Sequence, residues 1–231
     1  MGIGRNAVLA RILTAVGLCG STLLVCPGGA AEPGCPDIEV VFARGTTEAP
    51  GVGWIGQQFV DALRWRVMGR SVGVYPVDFP AVPEFAPTVA GVVDAAGHIT
   101  DTAAGCPDTR LVLGGYSRGA ALIGYVTEPA AAAGGFPPPL PPETAVHVAA
   151  IALLGKPAPA FLDSLGAPPV VIGPDYAAKT IELCAPGDPI CSAGTDGAAH
   201  AAYAGNGMTA QAADFAADRL RPPETVPGQP L

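Results

Sequence analysis

Residues 110–122 read Arg110-Leu111-Val112-Leu113-Gly114-Gly115-Tyr116-Ser117-Arg118-Gly119-Ala120-Ala121-Leu122. An apolar run enters this stretch, a Gly-x-Ser-x-Gly sits at its centre, and helix formers leave it. A strand that turns sharply at a serine and continues as a helix pushes the hydroxyl clear of the sheet, where a nucleophile belongs. Gly115 and Gly119 flank the turn because side chains there would collide with the strand and helix being joined. The amide of Arg118 then stands at a helix N-terminus and can donate to a developing oxyanion. The same pattern also fits a tight turn with a structural serine, so a base and an acid are needed to decide.

Around this turn, apolar runs alternate with helical spacing. Strands are predicted over 38–43, 71–77, 111–116, 146–154 and 180–184, and helices over 54–68, 88–104, 120–127 and 209–220. Alternation of this kind implies βαβ units and a mainly parallel sheet. Most strands are apolar throughout, as a sheet covered on both faces requires. The expected fold is therefore a single-domain, three-layer α/β/α sandwich, with neither a repeat nor a second domain. Residues 134–142, with Pro137-Pro138-Pro139, read as a stiff surface loop, and 222–231 as a flexible tail.

The N-terminus has another character. Arg5 and Arg11 precede a mostly apolar run over 12–25, and Gly29-Ala30-Ala31 offers small residues for cleavage. This is the anatomy of a secretory signal peptide over 1–31, which places the domain at 32–221 and the protein outside the cell or in its envelope. Gly17, Gly20, Ser21, Thr22 and Pro27 interrupt the run and favour a cleaved leader over an anchor. No other stretch is long and apolar enough to insert stably in a bilayer.

The whole chain carries 12 Lys and Arg against 20 Asp and Glu, a formal charge of −8. Without the leader's two arginines it falls to −10. That balance argues against nucleic acid and anionic lipid surfaces as partners. Cys35, Cys106, Cys184 and Cys191 remain after cleavage. In an exported domain they should form two disulfides, with three connectivities open. A zinc site is disfavoured because no pair is spaced Cys-x-x-Cys.

A serine hydroxyl needs a base, and the chain has three histidines. His98 precedes Ser117 within a helical pattern, and His147 opens a buried-looking strand. His200 lies beyond the last predicted strand, where the order serine, acid, histidine puts the base. Asp188 is the favoured acid: it sits at the end of the fifth strand in Cys184-Ala-Pro-Gly-Asp-Pro-Ile-Cys191, where a disulfide and Pro189 would hold a carboxylate still. Asp163, Asp175 and Asp196 are its rivals, the last as a possible cap of the next helix.

These stretches resemble the cutinase family of secreted serine esterases, of the α/β-hydrolase fold. The resemblance rests on Ala43-Arg44-Gly45-Thr46-Thr47-Glu48, Gly115-Tyr116-Ser117-Arg118-Gly119, the segment 184–191 around Asp188, and His200-Ala201-Ala202-Tyr203, in family order. It implies disulfides Cys35–Cys106 and Cys184–Cys191, a triad of Ser117, Asp188 and His200, and Thr46 as second oxyanion donor beside the Arg118 amide. It also implies an ester hydrolase that works through an acyl-enzyme and needs neither metal nor organic cofactor, and a monomer acting on fatty-acyl esters, polyesters or lipids. Related possibilities are esters of phospholipids, glycolipids or acetylated polysaccharides, or an exported binding protein that has lost turnover. Arg118 departs from the family's usual glutamine; its guanidinium is expected either in the substrate cleft or paired with a carboxylate such as Glu48. Residues 81–83 and 192–199 are the expected substrate wall.

Overall fold

The computed structural model describes Met1 and residues 34–82, 89–128 and 136–221. Beyond Met1, the predicted leader and the tail over 222–231 lie outside the described residues.

Alternate residues of a strand point to opposite faces, and here both faces are buried. β1 (Ile38–Ala43), β3 (Arg110–Tyr116) and β4 (Val148–Leu154) form the middle of the sheet. On one face Val41, Leu113, Ile151 and Leu153 pack with α2 (Val89–Gly105) and α3 (Arg118–Thr127). On the other, Val40, Phe42, Val112, Ala152 and Leu154 pack with α1 (Gly53–Arg66) and α6 (Met208–Leu220). This two-sided burial is why the strands read as continuous apolar runs. β2 (Val72–Pro76) and β5 (Thr180–Leu183) are the edges, in the order β2-β1-β3-β4-β5, and every pairing is parallel. The architecture is the three-layer α/β sandwich the sequence predicts.

Ala212, Ala213, Ala216 and Ala217 line the buried face of α6, and small side chains there let it lie close against α1 and β4. All ten residues of α3 are buried, so the helix after the serine is an interior element.

Some boundaries differ from expectation. Residues 142–146 form a 3-10 turn with proline at its start, so β4 begins at Val148 and His147 closes the turn. The described part of the proline-rich stretch is more than a surface loop: Phe136 stacks on Tyr125 with centroids 4.2 Å apart, and buried Leu140 donates its N–H to the Val126 carbonyl. Two short helices, α4 (Pro159–Ser164) and α5 (Pro174–Ala177), each opened by proline, are too brief for periodicity to announce.

Cys35 is bonded to Cys106, 71 residues away, and Cys184 to Cys191. In the chain-entropy picture the long loop contributes about 4 kcal/mol and the short one about 2 kcal/mol.

Candidate active site

In a parallel sheet the loops after the strands collect at one edge. The segments following β1, β3 and β5 bring Thr46, Ser117 and Asp188 there, and the 3-10 turn Ala199–Ala204 adds His200.

Ser117 joins β3 to α3 with φ 55° and ψ −118°. Non-glycine residues rarely hold a positive φ, and surrounding contacts must enforce it. Its N–H donates to the Leu154 carbonyl at 2.9 Å, so the turn stays stitched to β4. A Cβ on Gly115 would strike the backbone of Gly119, and one on Gly119 the carbonyl of Ala43. Glycine at both positions is a steric requirement of the turn.

The imidazole of His200 lies between the serine and the acid. Its Nε2 is 2.8 Å from Ser117 Oγ and its Nδ1 2.8 Å from Asp188 Oδ2. With Nδ1 protonated and donating to the carboxylate, Nε2 is left to accept the serine proton.

Asp188 has no solvent exposure. Burial alone would raise its pKa, but Tyr203 Oη at 2.7 Å, the His200 ring, and the Ile190 amide at 2.8 Å all stabilise the charged form. Together they hold the carboxyl below its ordinary range. The Asp188 carbonyl accepts from both the amide and the hydroxyl of Ser192, at 3.0 and 2.6 Å.

Two tyrosines complete the arrangement. Tyr203 is fully buried; its hydroxyl also accepts the Ala185 N–H at 3.0 Å, tying the disulfide loop to the histidine turn. Tyr116 donates to the His200 carbonyl and stacks on its ring with centroids 5.1 Å apart. Burial pushes both phenols upward, which keeps them protonated as donors. The sequence holds one clue to each: Tyr116 directly precedes the serine, and Tyr203 follows the histidine by three, one turn of a 3-10 helix.

The rivals lie elsewhere or have other partners. His98 contacts Glu39 at 3.0 Å and stacks on Tyr75. His147 precedes the N-terminal end of β4, whereas Ser117 follows the C-terminal end of the parallel β3. The Asp196 carboxylate accepts the Ala198 amide at 2.9 Å, ahead of the histidine turn. Asp163 and Asp175 are exposed residues of α4 and α5.

A cavity of about 280 Å³ opens over Ser117. Thr46, Arg118 and His200 border it with the serine, and Pro157, Phe161, Leu165 and Ile190 form an apolar side. That wall comes from the segment after β4, from α4 and its end, and from Ile190 of the disulfide loop after β5, not from residues 81–82 and 192–199; Pro83 lies outside the described residues. The Ala81 carbonyl has a different role, accepting the Thr47 amide at 2.7 Å.

Arg118 follows the serine at the start of α3. Its side chain is buried, with the residue 2 % exposed, and Nη1 donates to the Pro80 carbonyl at 3.4 Å. It turns inward because α3 is an interior helix. The Glu48 carboxylate accepts from the amides of Gly45 and Trp54. Cys184, Asp188 and Cys191 have metal-ligand proximity, but their sulfurs are spent in the disulfide and offer no thiolate.

The profile of the family described as Cutinase matches residues 34–220. The chain is 47% identical over 219 residues to carboxylesterase Culp1 of Mycobacterium tuberculosis, covering 92% of this chain and 96% of that protein. It is 47% identical over 210 residues to phospholipase Culp4 of the same organism, covering 90% of each. Among solved structures, Trichoderma reesei cutinase in complex with a phosphonate inhibitor superposes with a TM-score of 0.62 at 31% identity, over 81% of this chain and 78% of that one. With nearly the whole described domain matched, the chain belongs to the cutinase family.

Proposed function

We propose that this chain is an exported serine carboxylic ester hydrolase, monomeric and acting on neutral acyl esters. The observation that carries the reading is the hydrogen-bonded line from buried Asp188 through His200 to Ser117, at 2.8 Å on each side of the imidazole, beneath an apolar cleft.

His200 takes the Ser117 proton as Oγ attacks the ester carbonyl. Asp188 supports the imidazolium that forms, and the amides of Arg118 and Thr46 receive the oxyanion. The imidazolium then protonates the leaving alcohol, and a water activated by His200 releases the acid from Ser117. Every proton and electron pair in this cycle is handled by side chains and backbone, so neither a metal nor an organic cofactor enters. The relative named phospholipase supports a second reading, phospholipid esters. Burial of the Arg118 guanidinium favours neutral substrates, since it removes this cation from the cleft surface.

The test is p-nitrophenyl butyrate hydrolysis with active-site labelling by an alkyl phosphonate. Ser117→Ala and His200→Ala should each lose roughly four to six powers of ten in kcat, and Ser117→Ala should take up no phosphonate. His147→Ala should keep wild-type turnover per folded molecule. Retained activity in Ser117→Ala, or a larger loss in His147→Ala than in His200→Ala, would reject the assignment.

A further inference from the structure

Glu48 neither touches Ser117 nor borders the cleft, yet it is built into the turn that carries Thr46. Its Oε2 accepts the Gly45 amide at 2.6 Å and its Oε1 the Trp54 amide at 2.7 Å. One carboxylate thereby bridges the Arg44–Gly45 peptide, one residue before Thr46, and the first turn of α1. Two glycines make room for it. A Cβ at Gly53, where φ is 72°, would collide with the carboxylate, and one at Gly45 would come within 2.6 Å of the Tyr116 ring.

The turn is also under tension. Thr47 has φ 66°, and among the described residues only Ser117 shares a positive φ without being glycine. Such a conformation persists only where neighbours over-determine it. The Thr47 amide is held by the Ala81 carbonyl at 2.7 Å, and Arg44 Nε donates to the Glu48 carbonyl at 3.1 Å while Nη2 donates to that of Phe79 at 2.8 Å. On the N-terminal side of Thr46, Gly45 is held by the Glu48 side chain at 2.6 Å and by a longer bond from the Glu48 amide to its carbonyl at 3.4 Å. Without the side-chain bond, Thr47 can relax toward an ordinary φ and carry the Thr46 amide away from the oxyanion.

We propose that Glu48 is a positioning residue for the oxyanion turn, acting through the Gly45 and Trp54 amides to fix Thr46. The inference rests on the reading of Ser117 and Thr46 given above. It makes a prediction opposite in sign to simple electrostatics. A carboxylate near a developing oxyanion opposes it, so if the field of Glu48 dominated, neutralising the side chain would speed the reaction. If positioning dominates, Glu48→Gln slows it, because an amide group presents a donor to one of two N–H donors and releases that arm. Displacing a donor by about 1 Å is enough for losses near a hundredfold.

The experiment measures kcat and KM for p-nitrophenyl butyrate in wild type, Glu48→Gln and Glu48→Asp, normalised to serines titrated by an alkyl phosphonate. The inhibition constant of an alkylboronic acid, a tetrahedral mimic, is measured alongside. Glu48→Gln should lower kcat roughly ten- to hundredfold, with KM within about twofold of wild type, and boronate affinity should fall in step with kcat/KM. Glu48→Asp keeps the charge but is too short to span both amides, and should also lose kcat. It serves in place of Glu48→Gln if that variant does not fold. Wild-type or raised kcat per titrated serine in either variant would overturn the proposal, as would a fall in melting temperature with kcat and boronate affinity unmoved. Failure of the phosphonate to label wild-type Ser117 would instead strike the underlying reading of the nucleophile, and the inference with it.

Discussion

The phenol of Tyr203 donates a 2.7 Å hydrogen bond to Asp188 at a point where neither residue meets solvent. A buried carboxylate is costly unless donors surround it, and this phenol is one of those that keep Asp188 ionised opposite His200.

Tyr203→Phe keeps the ring and removes that donor. Burial then raises the Asp188 pKa with less opposition from hydrogen bonds. A carboxyl whose pKa is depressed by folding contributes stability that is complete above its unfolded pKa and is lost as pH falls through its folded pKa. In wild type that loss starts in the ordinary carboxylate range and continues below it; in Tyr203→Phe the folded pKa moves back toward that range, so the loss should be smaller and end at higher pH. Unfolding midpoints across an acid pH series should show the shift, with roughly 1–3 kcal/mol lost at neutral pH. Parallel curves for the two proteins would contradict it.

The double change Cys184→Ser with Cys191→Ser opens the loop that carries Asp188. The entropic contribution of so short a bridge is about 2 kcal/mol, too little to unfold a domain that keeps Cys35–Cys106. Turnover should fall about tenfold or more because the acid loses its fixed seat beneath His200. Assays well below the melting temperature separate the two effects; loss of activity only where the fold is also lost would refute the prediction.

Arg118→Gln should act on stability rather than on substrate choice. The guanidinium is buried and bonded to the Pro80 carbonyl, and the backbone amide proposed as oxyanion donor is unchanged by the substitution. The expected cost is roughly 1–3 kcal/mol in denaturant unfolding. The ratio of hydrolysis rates for neutral and anionic esters should stay constant at both low and high salt. A salt-sensitive loss confined to anionic esters would place the cation in the cleft after all.

Phe161→Ala removes an aromatic surface from the apolar side of the cavity, where the acyl chain is expected to lie. Acetyl esters, too short to reach it, should be hydrolysed within about twofold of wild type, whereas octanoyl esters should lose roughly tenfold in kcat/KM. A uniform loss across acyl lengths would remove Phe161 from the acyl wall.

Legibility in the sequence followed physical constraint. The turn at Ser117 was readable because Gly115 and Gly119 are forced by backbone contacts that admit no side chain. Asp188 stood out because cysteines bracket it, and the strands because burial on both faces leaves few residue types. The inward direction of Arg118 depends on how α3 is rotated and covered, which no local pattern encodes. The tyrosine contacts were hidden for a similar reason: Tyr116 and Tyr203 look like core aromatics until their hydroxyls are seen on a carbonyl and a carboxylate. α4, six residues long, is shorter than the window in which amphipathicity registers.

Chain order gives the sheet-edge assembly a temporal meaning. The serine turn is complete once β1, β3, β4 and α3 have docked, but Asp188 and His200 arrive on residues after β5, the four-residue edge strand added outside β4. A chain made or translocated from its N-terminus therefore holds an inert hydroxyl until those last segments close over it. Hydrolytic power is switched on by completion of the fold, and its first appearance in a refolding experiment should time the docking of β5 and the histidine turn rather than the collapse of the core.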